Sequence, residues 1–307
     1  MKYILIFLFL LTVTALSQEI VVENLSQITD YNAGTLFYPQ FTPDNKALIL
    51  TSEAYAGLWI YDLNFNSLTM INNHLGSGYY PQFSADGLTV FFRTDTYKDN
   101  LKYSDLRSYS FVERKEQVLF PADRFVSQPL SVSNNEVSYS RDIEVLNYQT
   151  QAKESVKRVS TLPLVLIENS NLMLQQNGEK RLFNPLGSGN YLWASVSPDN
   201  SQVLFHLAGK GTFITDLSGN LLHQLGNAHA PHFSPDGRFV VYMMDKDDGQ
   251  VVLESKLFVY SLASKTATEL TLDNSLICMY PRWSPDGKQI AFNTSDGLIY
   301  IIDLKID

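Results

Sequence analysis

At 307 residues, 45% of them hydrophobic and 18% charged, the chain has the apolar content of a folded protein with a large core and not that of a disordered one. A formal charge of -9, with no Lys/Arg cluster to offset it locally, repels phosphate backbones and argues against a nucleic-acid partner. The single cysteine, Cys278, excludes an intrachain disulfide and a cysteine-based zinc cluster, so stability has to come from burial and strand pairing.

The chain begins with Met1-Lys2, an apolar run over 3–11 and Ala15-Leu16-Ser17, the layout of a secretory signal with cleavage before Gln18. The stretch 3–16 has 14 residues, short of the ~20 that a spanning helix needs. Export with cleavage is therefore expected, leaving 18–307 as one periplasmic or secreted domain with no membrane span. No Cys follows the apolar run to accept a lipid.

Next comes a β-rich segment, Ile20-Val21-Val22 to Ile28-Thr29, and then the first copy of a recurring phrase, Tyr38-Pro39-Gln40-Phe41-Thr42-Pro43-Asp44-Asn45. Close copies begin at Tyr80, Ala230 and Tyr280, as in Tyr280-Pro281-Arg282-Trp283-Ser284-Pro285-Asp286-Gly287, and a looser one begins at Trp193. The phrase is a strand running into a tight turn: Pro pre-sets φ, Asp bonds its own backbone, and Gly or Asn accepts the left-handed conformation. After each turn comes an apolar run (47–50, 90–92, 239–242, 290–292) suited to a strand buried on both faces.

A third strand closes on Asp/Ser-Leu at 58–63, 101–106, 212–217, 257–262 and 298–304. The turn Asp lies 18, 19, 17, 25 and 17 residues before it (44 to 62, 86 to 105, 199 to 216, 236 to 261, 286 to 303), so an insertion is expected only in the fourth, around 245–250. A shorter fourth strand, such as Thr268-Glu269-Leu270-Thr271, completes the unit. Four antiparallel strands in about 40 residues make the blade of a β-propeller.

Neighbouring turn Asp residues are 42, 37 and 50 apart (44 to 86, 199 to 236, 236 to 286), and the gap from 86 to 199 is 113. Three steps of about 38 fit that gap better than two of about 56, so seven blades are favoured and six are the alternative. One hidden blade is expected to start at Ser127-Gln128-Pro129, with a turn at Asn134-Asn135. The other lies within 152–184, with strands at 163–167, 172–175 and 181–183 and a hairpin at Asn177-Gly178. The last repeat lacks a fourth strand, and Thr29 precedes Tyr38 by 9 residues just as Thr271 precedes Tyr280 by 9, so residues 19–29 are expected to close the ring.

The Ser-Pro-Asp-Gly turns resemble the repeat of TolB-like propellers over nearly all of the mature chain. The resemblance implies an all-β fold but little about function, because such blades occur in TolB, in propeller domains of prolyl-oligopeptidase-like enzymes and in oligogalacturonate lyases. The additional N-terminal α/β domain of TolB has no counterpart here. No Gly-x-Ser-x-Gly nucleophile elbow is present, and Gly209-Lys210-Gly211-Thr212 reads as a turn and not a phosphate loop.

Of the five histidines, only His229 and His232 lie close together, and on a regular strand positions i and i+3 face opposite ways. His74, His206 and His223 fall outside the equivalent position of other blades. Asp245-Lys246-Asp247-Asp248-Gly249 lacks the distal Glu of a calcium loop and reads as a hairpin tip. Cys278 reads as a small buried hydrophobe.

The variable slot of the phrase holds Gln40, Gln82, Ser195, His232 and Arg282, all polar within apolar surroundings. On innermost strands they would ring the central channel as candidate ligand- or partner-binding groups, or else bond only water and neighbouring backbone. The expectation is a monomeric, non-catalytic scaffold without cofactor or metal, binding a protein partner in the cell envelope or a small anionic ligand. The enzyme alternative is a lyase or hydrolase acting on an anionic saccharide, with Arg282 and His232 carrying it.

Overall fold

The computed structural model describes residues 20–133, 136–141, 144–150, 153–156, 162–270 and 273–306. The expected leader (1–17), the turn at Asn134-Asn135 and Thr271 lie outside the described residues. Those that are described form antiparallel sheets with a single 3-10 turn, Tyr31–Ala33, as their only helix. No helix among them is long and apolar enough to cross a membrane.

Six sheets are complete four-stranded blades, the number given above as the alternative: 37–72, 82–123, 131–156, 191–226, 229–269, and 278–306 joined by 20–27. A further sheet, Leu164–Glu168, Asn171–Gln176 and Glu179–Leu182, has three strands and fills the place between the 131–156 and 191–226 blades. Its Asn177-Gly178 hairpin has φ of 53° and 82°, the double left-handed turn that matches strand twist.

In the phrase-bearing blades the second strand is the most deeply buried. Ala47–Thr51 is buried at all five positions, whereas the outer strand Ser67–Asn72 is buried at only one of six. Apolar side chains of these strands pack between adjacent sheets. The largest cluster joins Phe239, Val241 and Val259 of one blade to Ile290, Phe292 and Ile302 of the next, with Ile20 from the N-terminal strand. Ile20–Gln27 pairs antiparallel with Ile299–Ile306, from Ile20 opposite Ile306 to Gln27 opposite Tyr300, so both ends of the described chain share one blade.

Each phrase folds its turn the same way. The Ser or Thr hydroxyl donates to the Asp carboxylate (Ser84 to Asp86, 2.6 Å; Ser234 to Asp236, 2.6 Å; Ser284 to Asp286, 2.6 Å). The hydroxyl oxygen also accepts a backbone N–H five residues on, as from Phe239 to Ser234 at 2.9 Å. Asn45, Gly87, Asn200, Gly237 and Gly287 all take positive φ, between 60° and 73°. These bonds to hydroxyl and backbone N–H hold the Asp86 and Asp199 carboxyls below the usual carboxylate range.

One expectation is corrected. The third strand of the second blade does not close at Asp105-Leu106; Asp105 sits inside Leu101–Ser110, opposite Thr94. The residue equivalent to Leu63 is Phe111, since Leu63 N–H donates to Lys46 O and Phe111 N–H to Leu88 O, both at 2.9 Å. The turn-to-close separation is then 24 residues (86 to 110), matching 25 (236 to 261) in the other extended blade. The hairpins Thr89–Lys98/Leu101–Ser110 and Phe239–Asp247/Val252–Ser261 are therefore both long, and not the second alone.

Candidate binding site at the channel mouth

The first strand of each phrase-bearing blade is interrupted at one point. Tyr38, Tyr80, Trp193, Ala230 and Tyr280 have φ of 54°, 50°, 49°, 44° and 54°. Pairing with the second strand slips there, between Phe37 and Gln40, Leu192 and Ser195, His229 and His232, and Met279 and Arg282. A left-handed residue with a Cβ costs on the order of 1–3 kcal/mol, and here it recurs in five blades, in four of them with the register slip. It turns the first residue of the phrase out of the strand and towards the channel mouth.

The displaced rings assemble there. Tyr38 stacks on Tyr55 with centroids 4.3 Å apart and leans on Tyr280 at 4.5 Å. Tyr55 meets Tyr79 edge-on at 5.1 Å, and Tyr79 meets Tyr80 at 4.9 Å. Burial pushes the Tyr55 hydroxyl up to about 12 and raises those of Tyr38, Tyr79 and Tyr280, so the cluster stays neutral. Gly78 makes room beneath it: a Cβ there would lie 2.0 Å from the Thr51 Oγ1.

A second group lies at Trp193, whose ring is 5.3 Å from His206 and 5.4 Å from His229. His229 Nδ1 donates to Asp245 Oδ1 at 2.5 Å. Thr212 gives its own proton to Ala228 O, so its oxygen accepts from His206 Nδ1–H at 2.9 Å. Burial, helped by the adjacent His229, lowers His206 to about 4.

The five slot residues all line the channel: Gln40, His232 and Arg282 at a small pocket under the tyrosines, and Gln82, Ser195, His232 and Arg282 around a larger cavity of about 920 Å³. Arg282 is the pivot between the two. It donates to His232 Nδ1 at 2.8 Å and lies over the Tyr80 ring at 5.5 Å. An arginine has no acceptor, so the His232 Nδ1 must offer its lone pair, which fixes a neutral imidazole carrying its proton on Nε2. Burial and the neighbouring Arg282 hold the His232 pKa well below its ordinary value.

Charge around the cavity is unevenly matched. Arg93 and Lys102 lie 3.0 and 3.8 Å from Asp95, and Glu168 is bonded to Lys180 at 2.8 Å. Arg282 contacts no carboxylate among the described residues, although burial disfavours its charge. The Ser195 Oγ is buried and has no hydrogen-bond partner among the described residues.

The other histidines sit elsewhere: His74 bonds Glu116 at 3.0 Å and His223 approaches the Tyr260 hydroxyl at 3.3 Å. Asp248, in the hairpin tip at 245–250, caps its own turn by accepting from Gln250 and Val251 N–H, each at 2.9 Å. Cys278 is buried. Among the described residues, no three His, Cys, Asp or Glu side chains gather closely enough to hold a metal ion. Sequence reasoning missed the tyrosines and Trp193. The available signal was the first position of the phrase, where an aromatic residue recurs immediately before the Pro or small residue.

No family model matches the chain. Among solved structures, an oligogalacturonate lyase from Vibrio parahaemolyticus aligns with TM-score 0.61 and 13% identity, over 93% of this chain and 98% of the other. A chain of the mitotic checkpoint complex aligns with TM-score 0.65 and 12% identity, over 92% and 94%. TolB from Acinetobacter baumannii aligns with TM-score 0.48 and 13% identity, over 88% and 63%. At such identities the first two likenesses establish the fold, and the chain is an all-β propeller of four-stranded antiparallel blades.

Proposed function

We propose that this chain is an exported, non-catalytic binding propeller that takes a carboxylate, presented by a small molecule or by a partner protein, at the aromatic mouth of its channel. The observation that carries this reading is Arg282, a half-buried guanidinium with no carboxylate partner among the described residues. The guanidinium is half-buried at the cavity wall and held by neutral groups, so an exogenous carboxylate would gain charge-assisted hydrogen bonds there. His232 supports binding over proton transfer, since its lone pair is occupied by Arg282 and only Nε2–H is left to donate.

The test compares wild type with Arg282→Gln. Tryptophan fluorescence titrations with monocarboxylates, with galacturonate and with a peptide carrying a free C-terminus should show affinity falling at least tenfold in the variant. Its melting temperature should stay within about 3 °C of wild type. A variant that melts much lower but binds normally would sink the reading. Stoichiometric bound metal together with turnover of polyuronides, lost in His232→Ala, would replace it with a lyase.

A further inference from the structure

The channel wall changes character where the phrase is absent. In five blades the slot is polar; the corresponding stretches of the other two sheets are Gln128-Pro129-Leu130 and Leu162-Pro163-Leu164, which place Leu130 and Leu164 at the wall of the same cavity. Val165 and Ile167, on the opposite face of Leu164–Glu168, also line this cavity. Leu162 and Ile167 remain 57% and 42% exposed, which leaves apolar area open to a ligand at the cavity wall. The one cavity-lining acid on this strand, Glu168, is already neutralised by Lys180.

The cavity therefore has a cationic, hydroxyl-bearing side at Arg282 and Ser195 and an aliphatic side at Leu162 to Ile167. Its 920 Å³ lies within the range of small-molecule sites, about 300–1,000 Å³. Resting on the carboxylate reading above, we infer that the ligand is a linear amphiphilic monocarboxylate, its head at Arg282 and its aliphatic tail along the Leu162–Ile167 wall. Along Leu162–Ile167 a saccharide hydroxyl would meet leucine and isoleucine side chains, a penalty that an alkyl chain avoids, although Ser127, Gln128 and Ser140 line the cavity beside that strand.

The test is calorimetric titration of the full chain with acetate, hexanoate and decanoate, with galacturonate as the polar control. Affinity should rise about threefold to fourfold per methylene, hence roughly a hundredfold from hexanoate to decanoate. A double variant, Leu162→Asn with Ile167→Asn, changes exposed positions only; it should cut the decanoate gain about tenfold, leave hexanoate nearly unchanged and keep the melting temperature. Affinity independent of chain length, or a chain-length gain unaltered in the double variant, would overturn the inference. Galacturonate or a peptide C-terminus binding Arg282-dependently while alkyl carboxylates do not would overturn it and leave the carboxylate reading standing. Binding that is indifferent to Arg282→Gln, or absent for every probe, would bring down both.

Discussion

Five blades of this ring carry the Pro-Asp phrase, and the arc from 131 to 182 does not. In the phrase-bearing blades a left-handed residue projects into the channel mouth, the slot two residues on is polar, and in four of the five the first strand bulges between them. In the other arc the first strands carry no positive φ at the matching residues, and Leu130 and Leu164 stand at the wall. The repeat thus encodes more than a turn: strand bulge, ring projection and polar slot travel together. Where the phrase decays, all three are lost at once, which makes the channel two-sided.

The largest expected effect tests how the phrase-bearing arc is held shut. Removing Ile20–Gln27 strips Ile20, Val22 and Leu25 from the largest apolar cluster and exposes the Ile299–Ile306 edge. At about 1.5–3 kcal/mol per buried aliphatic side chain, the cost should be about 5 kcal/mol, with association through the open edge. Unchanged melting and a monodisperse elution profile would show that closure contributes little.

A smaller effect is tied to the buried imidazoles, which all lie on the phrase-bearing side. His206, lowered to about 4, together with His223 and His232, also lowered, binds protons less readily when folded than unfolded. Their stabilisation is complete above the unfolded value of about 6.5 and is lost as pH falls towards the folded values. Between pH 7 and 5, His206→Gln should therefore reduce the pH-induced loss of stability by on the order of 1–2 kcal/mol, measured by urea unfolding at each pH. An identical slope in the variant would show that His206 does not titrate on unfolding.

The smallest effect probes the bulge itself. Ala230 holds a φ of 44°, which glycine tolerates far better. Ala230→Gly should be neutral or stabilising by up to about 1 kcal/mol, whereas Ala47→Gly, in a regular buried strand, should cost about 1 kcal/mol. Equal losses at both positions would mean that the bulge is not strained.

Much of the fold was legible because it repeats. The turns, the deeply buried second strands, the closing N-terminal strand and the Asn177-Gly178 hairpin all follow from residue types with strong local preferences. The bulge was not legible, because Tyr and Trp are poor candidates for positive φ and only the assembled mouth compensates them. The length of the 89–110 hairpin was obscured by Asp105-Leu106, which mimics the Asp-Leu that ends other third strands while lying mid-strand. The slot positions could be placed from the phrase. The apolar wall could not, since it is defined by the phrase's absence, and the isolation of Arg282 depends on where Asp95 and Glu168 spend their charge.

The shared last blade also constrains the order of events in folding. Its outermost strand, Ile20–Gln27, precedes the other described blades in sequence and its other three strands follow them, so the seal cannot form before all of those blades have been made. Pairing across 279 residues, as between Asn24 and Asp303, is slow to form and leaves an unpaired edge in the meantime.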